Sequence, residues 1–272
     1  TGLILSETLF ACMLAWGMCL LARPRPIIAV TGMLVLALSV QVRPSAVGLV
    51  VLLAGAAAWN QGWHRVIRST AIAAALVLAA LLPWAERNAH HPQLRAWIWT
   101  TTNGGVTLYD GFHDGATGAS DQKAFLDSLK PTLWRLDEVQ RDQYLAQAAH
   151  EWIAAHPGRA LALAGSKVAR TWSPIPLSSE YGRDARYVAV GLIYSLPFDV
   201  LFLIGLWKAV LPRTAKVLLV LPAIYFTGIH ALSVGSLRYR IPVEPPMAVI
   251  AGAALSAACS RFLHGPSRRK SG

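Results

Sequence analysis

The segment Ser236–Pro245, with the sequence SLRYRIPVEP, separates two long apolar runs near the carboxyl end of the chain. It carries Arg238 and Arg240 on either side of Tyr239. A guanidinium group at the edge of a lipid bilayer needs a partner such as a headgroup phosphate or a bound anion, because an unpaired charge in apolar surroundings is costly. The segment therefore predicts a compact anion clamp in a membrane protein that handles a phosphorylated substrate.

The overall composition agrees with a membrane protein. Of the 272 residues, 54% are hydrophobic and only 14% are charged, and the mean hydropathy is +0.43. These values lie outside the range of soluble domains, so we expect a polytopic membrane chain. The net charge of +11 does not indicate a nucleic-acid partner, because the arginines lie where apolar runs stop and form no basic stripe with interleaved aromatics.

The three cysteines, Cys12, Cys19 and Cys259, lie inside apolar runs and have no paired spacing. We expect them to be small buried hydrophobic residues, and neither disulfide partners nor zinc ligands. Their pattern does not identify the redox compartment.

Apolar runs of membrane-spanning length recur along the chain. A span needs about 20 apolar residues to cross about 30 Å of hydrocarbon, and fewer where the bilayer thins. We predict about seven, of which the first three are short enough for an interfacial or re-entrant segment. The predicted spans are Thr8–Ala22, Ile27–Val40, Ala46–Trp59, Ser69–Trp84, Tyr187–Val210, Val217–Ser233 and Pro246–Phe262.

The basic residues between these runs predict the orientation, because Lys and Arg near span ends are retained on the cytoplasmic side. The cytoplasmic groups are Arg23/Arg25, His64–Arg68, Arg213/Lys216 and Arg268–Lys270. Alternation then places four features together on the outer face: Glu7, Arg43, the stretch from residue 85 to 186, and Arg238/Arg240. We predict an all-α bundle divided into residues 1–84 with four spans, an extracytoplasmic region 85–186, residues 187–263 with three spans, and a basic tail 264–272.

The outer stretch divides into a loop and a helical half. Between Asn103 and Ser120 there are five glycines with turn signals, which favour a loop that can approach a ligand. Beyond it, Asp137-Glu138 begins a run with helical apolar spacing that stops at His156-Pro157-Gly158. The basic amphipathic segment Arg159–Trp172, with Lys167 and Arg170, is expected to lie in the membrane interface.

The order of several short segments resembles the bacterial membrane glycosyltransferases of the GT-C class, relatives of the protein mannosyltransferases and the aminoarabinose lipid A transferases. No single segment is diagnostic, but their order covers most of the chain. The segments are Leu5–Phe10, Arg43–Ser45, Arg87–Asn88, Thr102–Tyr109, Glu138–Asp142, His156–Pro157 and Leu237–Pro242.

The resemblance implies transfer of a sugar from a polyprenyl-phosphate carrier at the outer face of the cytoplasmic membrane. Arg238 and Arg240, with Arg43 as a further candidate, would bind the carrier phosphate and stabilise the charge that grows on it. Glu7 would bind a sugar hydroxyl or a divalent cation, and Tyr239 would stack on the sugar. Asn103 and Tyr109, from a segment that carries the resemblance, are further candidates for the substrate pocket.

The resemblance also implies a catalytic carboxylate in a first outer loop upstream of Thr1, so no residue of this sequence is assigned as the base. We expect the chain to lack its natural amino terminus, because it has no initiator Met and no leader pattern. The sugar, the acceptor and any metal dependence stay open. No motif here predicts a metal site, since His150 and His156 lie on different faces of one helix.

Other interpretations of the same residues stay open. The arginines could be interfacial anchors that reach lipid phosphate, Glu7 could cap a helix, and Asn103 could form a tight turn. A lipid or polyprenyl-phosphate flippase would use the same arginines to guide a headgroup. Transporters usually carry polar groups deep in their spans, whereas Glu7, Arg43 and Asp199 are expected near span ends. A non-catalytic scaffold for another envelope protein is a third alternative.

Overall fold

A computed structural model describes residues 6–177, 182, 184–208 and 211–264. The predicted all-helical class is confirmed: the described residues form eleven α-helices and three short 3-10 helices, with no strand among them. The α-helices are α1 Ser6–Leu21, α2 Pro26–Ser39, α3 Val47–Ala58, α4 Trp63–His90, α5 Gly104–Gly111, α6 Gln122–Leu133, α7 Glu138–Ala155, α8 Pro157–Thr171, α9 Ala185–Lys208, α10 Arg213–Ala231 and α11 Glu244–His264. The 3-10 helices cover Pro44–Ala46, Trp59–Gln61 and Leu237–Val243.

Each of the seven predicted spans overlaps an α-helix in the described part of the chain. Five continuous helical stretches are long and apolar enough to cross a bilayer, which indicates a multi-pass membrane protein. The helices α1 and α2 are apolar but shorter. The five stretches are Pro44–Gln61, Trp63–His90, Ala185–Lys208, Arg213–Ala231 and Leu237–Ser260.

Three segments that were predicted to lie outside the spans are helical instead. The segments His64–Arg68 and Arg87–Asn88, expected outside a span, belong to the two ends of α4, because the helix continues beyond its apolar run. The glycine-rich stretch after Asn103 also begins as a helix, α5. Contact with α7 explains this: the Gly105 amide donates to Asp142 Oδ1 at 2.5 Å, and a side chain at Gly105 would collide with the Asp142 carbonyl oxygen. A pattern of turn residues does not reveal such a tertiary contact.

The main core lies between the apolar helices. Helix α1 packs along α2, α3 along α4, and α9 along α11, while α10 contacts α3, α8 and α11. Gly17 and Gly32 let α1 and α2 approach closely, since a side chain at Gly32 would collide with the backbone of Leu21. The prediction that the cysteines are buried is wrong: Cys12, Cys19 and Cys259 are unpaired and exposed on apolar helices.

The region from α5 to α8 forms two smaller apolar clusters of its own. Helix α7 begins as predicted, with a capping box in which Asp137 accepts from the Gln140 amide at 2.8 Å. Helix α8 begins at Pro157, two residues before the predicted amphipathic segment, and its Lys167 does not lie on an exposed basic face. Its side chain is completely buried, with Nζ 3.2 Å from the centre of the Phe112 ring. That ring belongs to a distant segment, which the periodicity of α8 alone cannot indicate.

The bundle has two chemically different ends. Helix α1 runs from Glu7, which lies beside Arg238, to Leu21, which lies next to Arg23. Two of the four basic groups predicted to share one side meet at the Arg23 end, where Arg23, Arg65 and Arg68 line one groove. Four predicted features lie partly or wholly outside the described part of the chain. They are the basic tail beyond His264, the end of the outer region at residues 178–181 and 183, the end of one span at residues 209–210, and Leu5.

Candidate functional site

The end of the bundle that contains Glu7 brings together residues from four separate segments. Arg43 lies between α2 and the 3-10 helix at Pro44, where its extended backbone is favoured by the following proline. Its guanidinium carbon lies 5.9 Å from the ring centre of Phe10, 5.0 Å from that of Phe226 and 5.4 Å from that of Tyr239. We name the set Arg43, Phe10, Phe226, His230 and Tyr239 the Arg43 pocket.

His230 is the hydrogen-bond partner of Arg43 in this pocket. Arg43 donates to His230 Nε2 at 3.0 Å, and because a guanidinium cannot accept, Nε2 must carry the lone pair. The Nδ1 atom of a neutral imidazole then holds the proton and donates to Ser233 Oγ at 3.3 Å. The Ser233 hydroxyl donates to the Ile229 carbonyl. This directional chain fixes a neutral His230, so Arg43 keeps its positive charge uncompensated by this partner.

The Tyr239 ring covers His230 and links the pocket to Arg238. The two rings stack at 4.0 Å and are inclined by only 4°. Arg238 lies on Tyr239, 5.2 Å from its centre, and its Nε is 3.5 Å from Glu7 Oε1. Glu7 is nearly buried, whereas 61% of the Arg238 side chain is exposed. Glu7, Arg43 and Arg238, which were predicted to lie on one face, therefore lie at the same end of the bundle, around Tyr239.

Arg240 occupies different surroundings. It donates to both carboxylate oxygens of Asp199, at 2.8 and 3.3 Å, and to Glu244 at 3.1 Å. Its side chain is 3% exposed and lies against Trp172. We name Arg240, Asp199 and Glu244 the Arg240 network. In it, two carboxylates already satisfy the guanidinium.

The predicted clamp of Arg238 and Arg240 does not form. The segment Leu237–Val243 is a 3-10 helix, in which each residue is rotated by about 120° from the one before it. Residues two apart therefore point to different sides. Arg238 faces Glu7, Arg240 faces Asp199, and Tyr239 faces His230. Asp199 also differs from expectation, because it lies inside α9 and not near its end.

Asn103 and Tyr109, the other predicted pocket residues, lie away from the Arg43 pocket. Asn103 is exposed and its side chain contacts Thr107. Tyr109 stacks on His113 at 5.3 Å and meets the edge of Phe125, in the apolar cluster between α5 and α6. Burial raises the pKa of Tyr109 above its ordinary value. Both residues help to shape the α5–α8 region.

The α5–α8 region nevertheless contacts the loop that leads into the site. The Gly235 amide donates to the Gly118 carbonyl at 2.9 Å, and the Gly111 backbone lies directly against the Ser233 carbonyl. A side chain at Gly235 would collide with the Lys167 backbone. These close approaches fix the segment between His230 and Arg238, so the region positions the pocket without supplying a side chain to it.

The electrostatics of the pocket suit an anion better than a cation. Burial lowers the pKa of Arg43, which means that its charge is incompletely solvated, while Glu7 and Tyr239 act in the opposite direction. Within the described part of the chain, no three His, Cys, Asp or Glu side chains are grouped so that they could hold a metal. Metal dependence, which the sequence left open, stays open.

The sequence interpretation missed His230, Phe10, Phe226 and the Arg240 network. A histidine inside the apolar run of α10 and an aspartate inside that of α9 were visible signals, because polar groups within apolar spans require partners. The two phenylalanines gave no signal, since aromatic residues are common in apolar helices.

The comparisons add no relative to this description. No family model matches the chain, and neither does any curated protein or solved structure. The function must therefore be argued from the residues and the geometry.

Proposed function

We propose that the Arg43 pocket binds the phosphate of a polyprenyl-phosphate-linked sugar, and that the protein is a membrane glycosyltransferase of the GT-C class. One observation carries this proposal: Arg43 is held among three aromatic rings by a neutral histidine. No carboxylate forms an ion pair with it among the described residues. A guanidinium in that setting favours an anionic ligand, and its planar fork of N–H donors matches two oxygens of a phosphate group.

The neighbouring residues take complementary roles. Arg238 is exposed enough to turn from Glu7 to a phosphate oxygen, and together with Arg43 it would stabilise the charge on the departing phosphate. Glu7 would then be free to accept from a sugar hydroxyl, and the half-buried Tyr239 would contact the sugar. Arg240 positions the 3-10 helix that carries these groups. The order of segments described above supports the GT-C class, with its catalytic carboxylate in an upstream outer loop.

The proposal includes the topology. All seven apolar helices cross the cytoplasmic membrane, and the Arg43 pocket and residues 85–186 face its outer side. The basic groups at the Arg23 end support this orientation, because arginines are retained on the cytoplasmic side. In this arrangement the carrier lipid would reach the pocket from within the outer leaflet.

A transporter of the same carrier lipid is the second candidate, and the Arg240 network favours it. Asp199 lies inside an apolar helix and pairs with Arg240, and ionisable groups inside spans often mark transport pathways. In a transporter this pair would open and close as the headgroup passes, whereas in a transferase it stays closed.

The experiment uses the protein expressed from its natural gene in proteoliposomes, with a labelled polyprenyl-phosphate sugar. The transferase predicts that the label leaves the carrier, and that Arg238→Gln lowers this transfer about tenfold or more while Tm is unchanged. Movement of intact carrier across the bilayer, without release of the label from the carrier, would establish the transporter instead. Arg87→Gln is the matched control, because Arg87 also lies over an aromatic ring but outside the pocket.

A further inference from the structure

A groove at the Arg23 end of the bundle combines an apolar wall with a basic mouth. It lies between α2, α3 and α4, has a volume of about 370 Å³, and is lined inside by residues such as Val30, Met33 and Ala54. Arg23, Arg65 and Arg68 line the same groove. We name it the arginine groove. It is at the opposite end of α1 from Glu7, so it is separate from the Arg43 pocket.

The three arginines of this groove have no acidic partners. None of them forms an ion pair within the described ranges, and Arg65 donates only to the neutral Gln61 side chain, at 2.9 Å. Arg65 and Arg68 are three residues apart on α4, so they point to the same side of the helix. Arg65 also lies in the first turn of α4, where the positive end of the helix dipole adds to its charge.

A second groove begins at the same turn of the chain. It lies between α1, α10 and α11, has a volume of about 590 Å³, and is lined almost entirely by apolar atoms. Arg23, Pro24 and Gln61 line both grooves. One basic mouth therefore leads to two apolar grooves, on either side of the Arg23–Pro24 turn.

We infer that the arginine groove binds an anionic phospholipid, with the headgroup phosphate at Arg23, Arg65 and Arg68 and the two acyl chains in the two apolar grooves. The charge complementarity identifies the occupant: a cluster of arginines without carboxylates at the edge of apolar helices matches an anionic headgroup, and the adjoining grooves match its chains. A soluble anion would leave both grooves empty, and a neutral lipid would leave the cluster uncompensated. The inference does not depend on the proposed transferase activity.

The experiment measures lipid retained by the whole purified protein. Native mass spectrometry in detergent, with phosphatidylglycerol and phosphatidylcholine titrated separately, should show tight retention of one phosphatidylglycerol and about tenfold weaker retention of phosphatidylcholine. The double variant Arg65→Gln/Arg68→Gln should lose that preference. Arg25→Gln is the control, because Arg25 lies in the same exposed turn but does not line the groove.

A second variant tests the apolar part independently of charge. Ala29→Phe adds a ring to the wall of the groove and should weaken phosphatidylglycerol retention while the preference between the two headgroups persists. Equal retention of both lipids by the unaltered protein would overturn the inference. An equal loss in Arg25→Gln would also overturn it, and so would a rise in Tm with inorganic phosphate as large as that with phosphatidylglycerol.

Discussion

The Arg240 network and the Arg43 pocket place two arginines at the same end of the bundle in opposite electrostatic situations. Arg240 meets two carboxylates and is almost completely buried. Arg43 meets three rings and a neutral histidine, and no carboxylate pairs with it in the described part of the chain. Arg240, with two carboxylate partners, stabilises the fold. Arg43, with no carboxylate partner among the described residues, is available to a ligand.

The largest loss of stability is expected on replacing Arg240, whose charge is already balanced by two carboxylates. Arg240→Gln leaves Asp199 and Glu244 without their shared cation, so the free energy of unfolding should fall by about 3–5 kcal/mol. Thermal unfolding in detergent measures this loss. Arg186→Gln is the control, because its ion pair with Asp184 is exposed, and Tm should be unchanged. Similar Tm values for the two variants would remove the structural role assigned to Arg240.

Lys167 extends the comparison to a buried cation that lies over an aromatic ring, Phe112, but pairs with no carboxylate among the described residues. Its Nζ is buried without a hydrogen-bond partner among the described residues, and burial lowers its pKa from 10.5 to about 8 although Asp110 opposes this shift. Between pH 8 and 10.5 the unfolded chain therefore binds more protons than the folded chain. The free energy of unfolding should therefore increase by about 3 kcal/mol as the pH rises from 8 to 10.5, and this increase should be reversed when the pH falls back to 8.

The pH dependence of unfolding tests this assignment. Lys167→Met removes the titrating group, so the rise in stability above pH 8 should disappear. Lys123→Met, which alters an exposed lysine, should retain it. If the free energy of unfolding depended on pH equally in both variants, a group other than Lys167 would have to bind the proton.

The smallest change in stability is expected on replacing Glu7, which in our proposal competes with the ligand phosphate for Arg238. The ion pair is long and Arg238 is mostly exposed, so Glu7→Gln should change stability by less than about 1 kcal/mol. Without the competing carboxylate, affinity for polyprenyl phosphate lacking a sugar should rise about threefold. Affinity for the sugar-bearing donor should not rise, because the carboxylate that accepts from the sugar is lost. A parallel rise for both ligands, measured by calorimetry, would exclude Glu7 from the sugar site.

The sequence was sufficient for the apolar helices and for three separated contributors to one end of the bundle, but not for α5, which was predicted to be a loop. Apolar runs specify helices locally, and alternation along the chain brings Glu7, Arg43 and Arg238 to the same end. The partners could not be predicted in the same way. The direction of Arg240 depends on the 3-10 conformation of Leu237–Val243, and the burial of Lys167 depends on contact with Phe112.

The affinity of Arg43→Gln for polyprenyl phosphate tests the central claim most directly. Titration calorimetry in lipid nanodiscs should show a loss of about 10-fold to 100-fold relative to the unaltered protein, because a charge-assisted hydrogen bond contributes about 1.5–3 kcal/mol. Arg87→Gln, which removes a guanidinium placed at the same 5.0 Å over Trp84, should bind normally. Normal binding by a folded Arg43→Gln protein would contradict the assignment of the Arg43 pocket as the phosphate site.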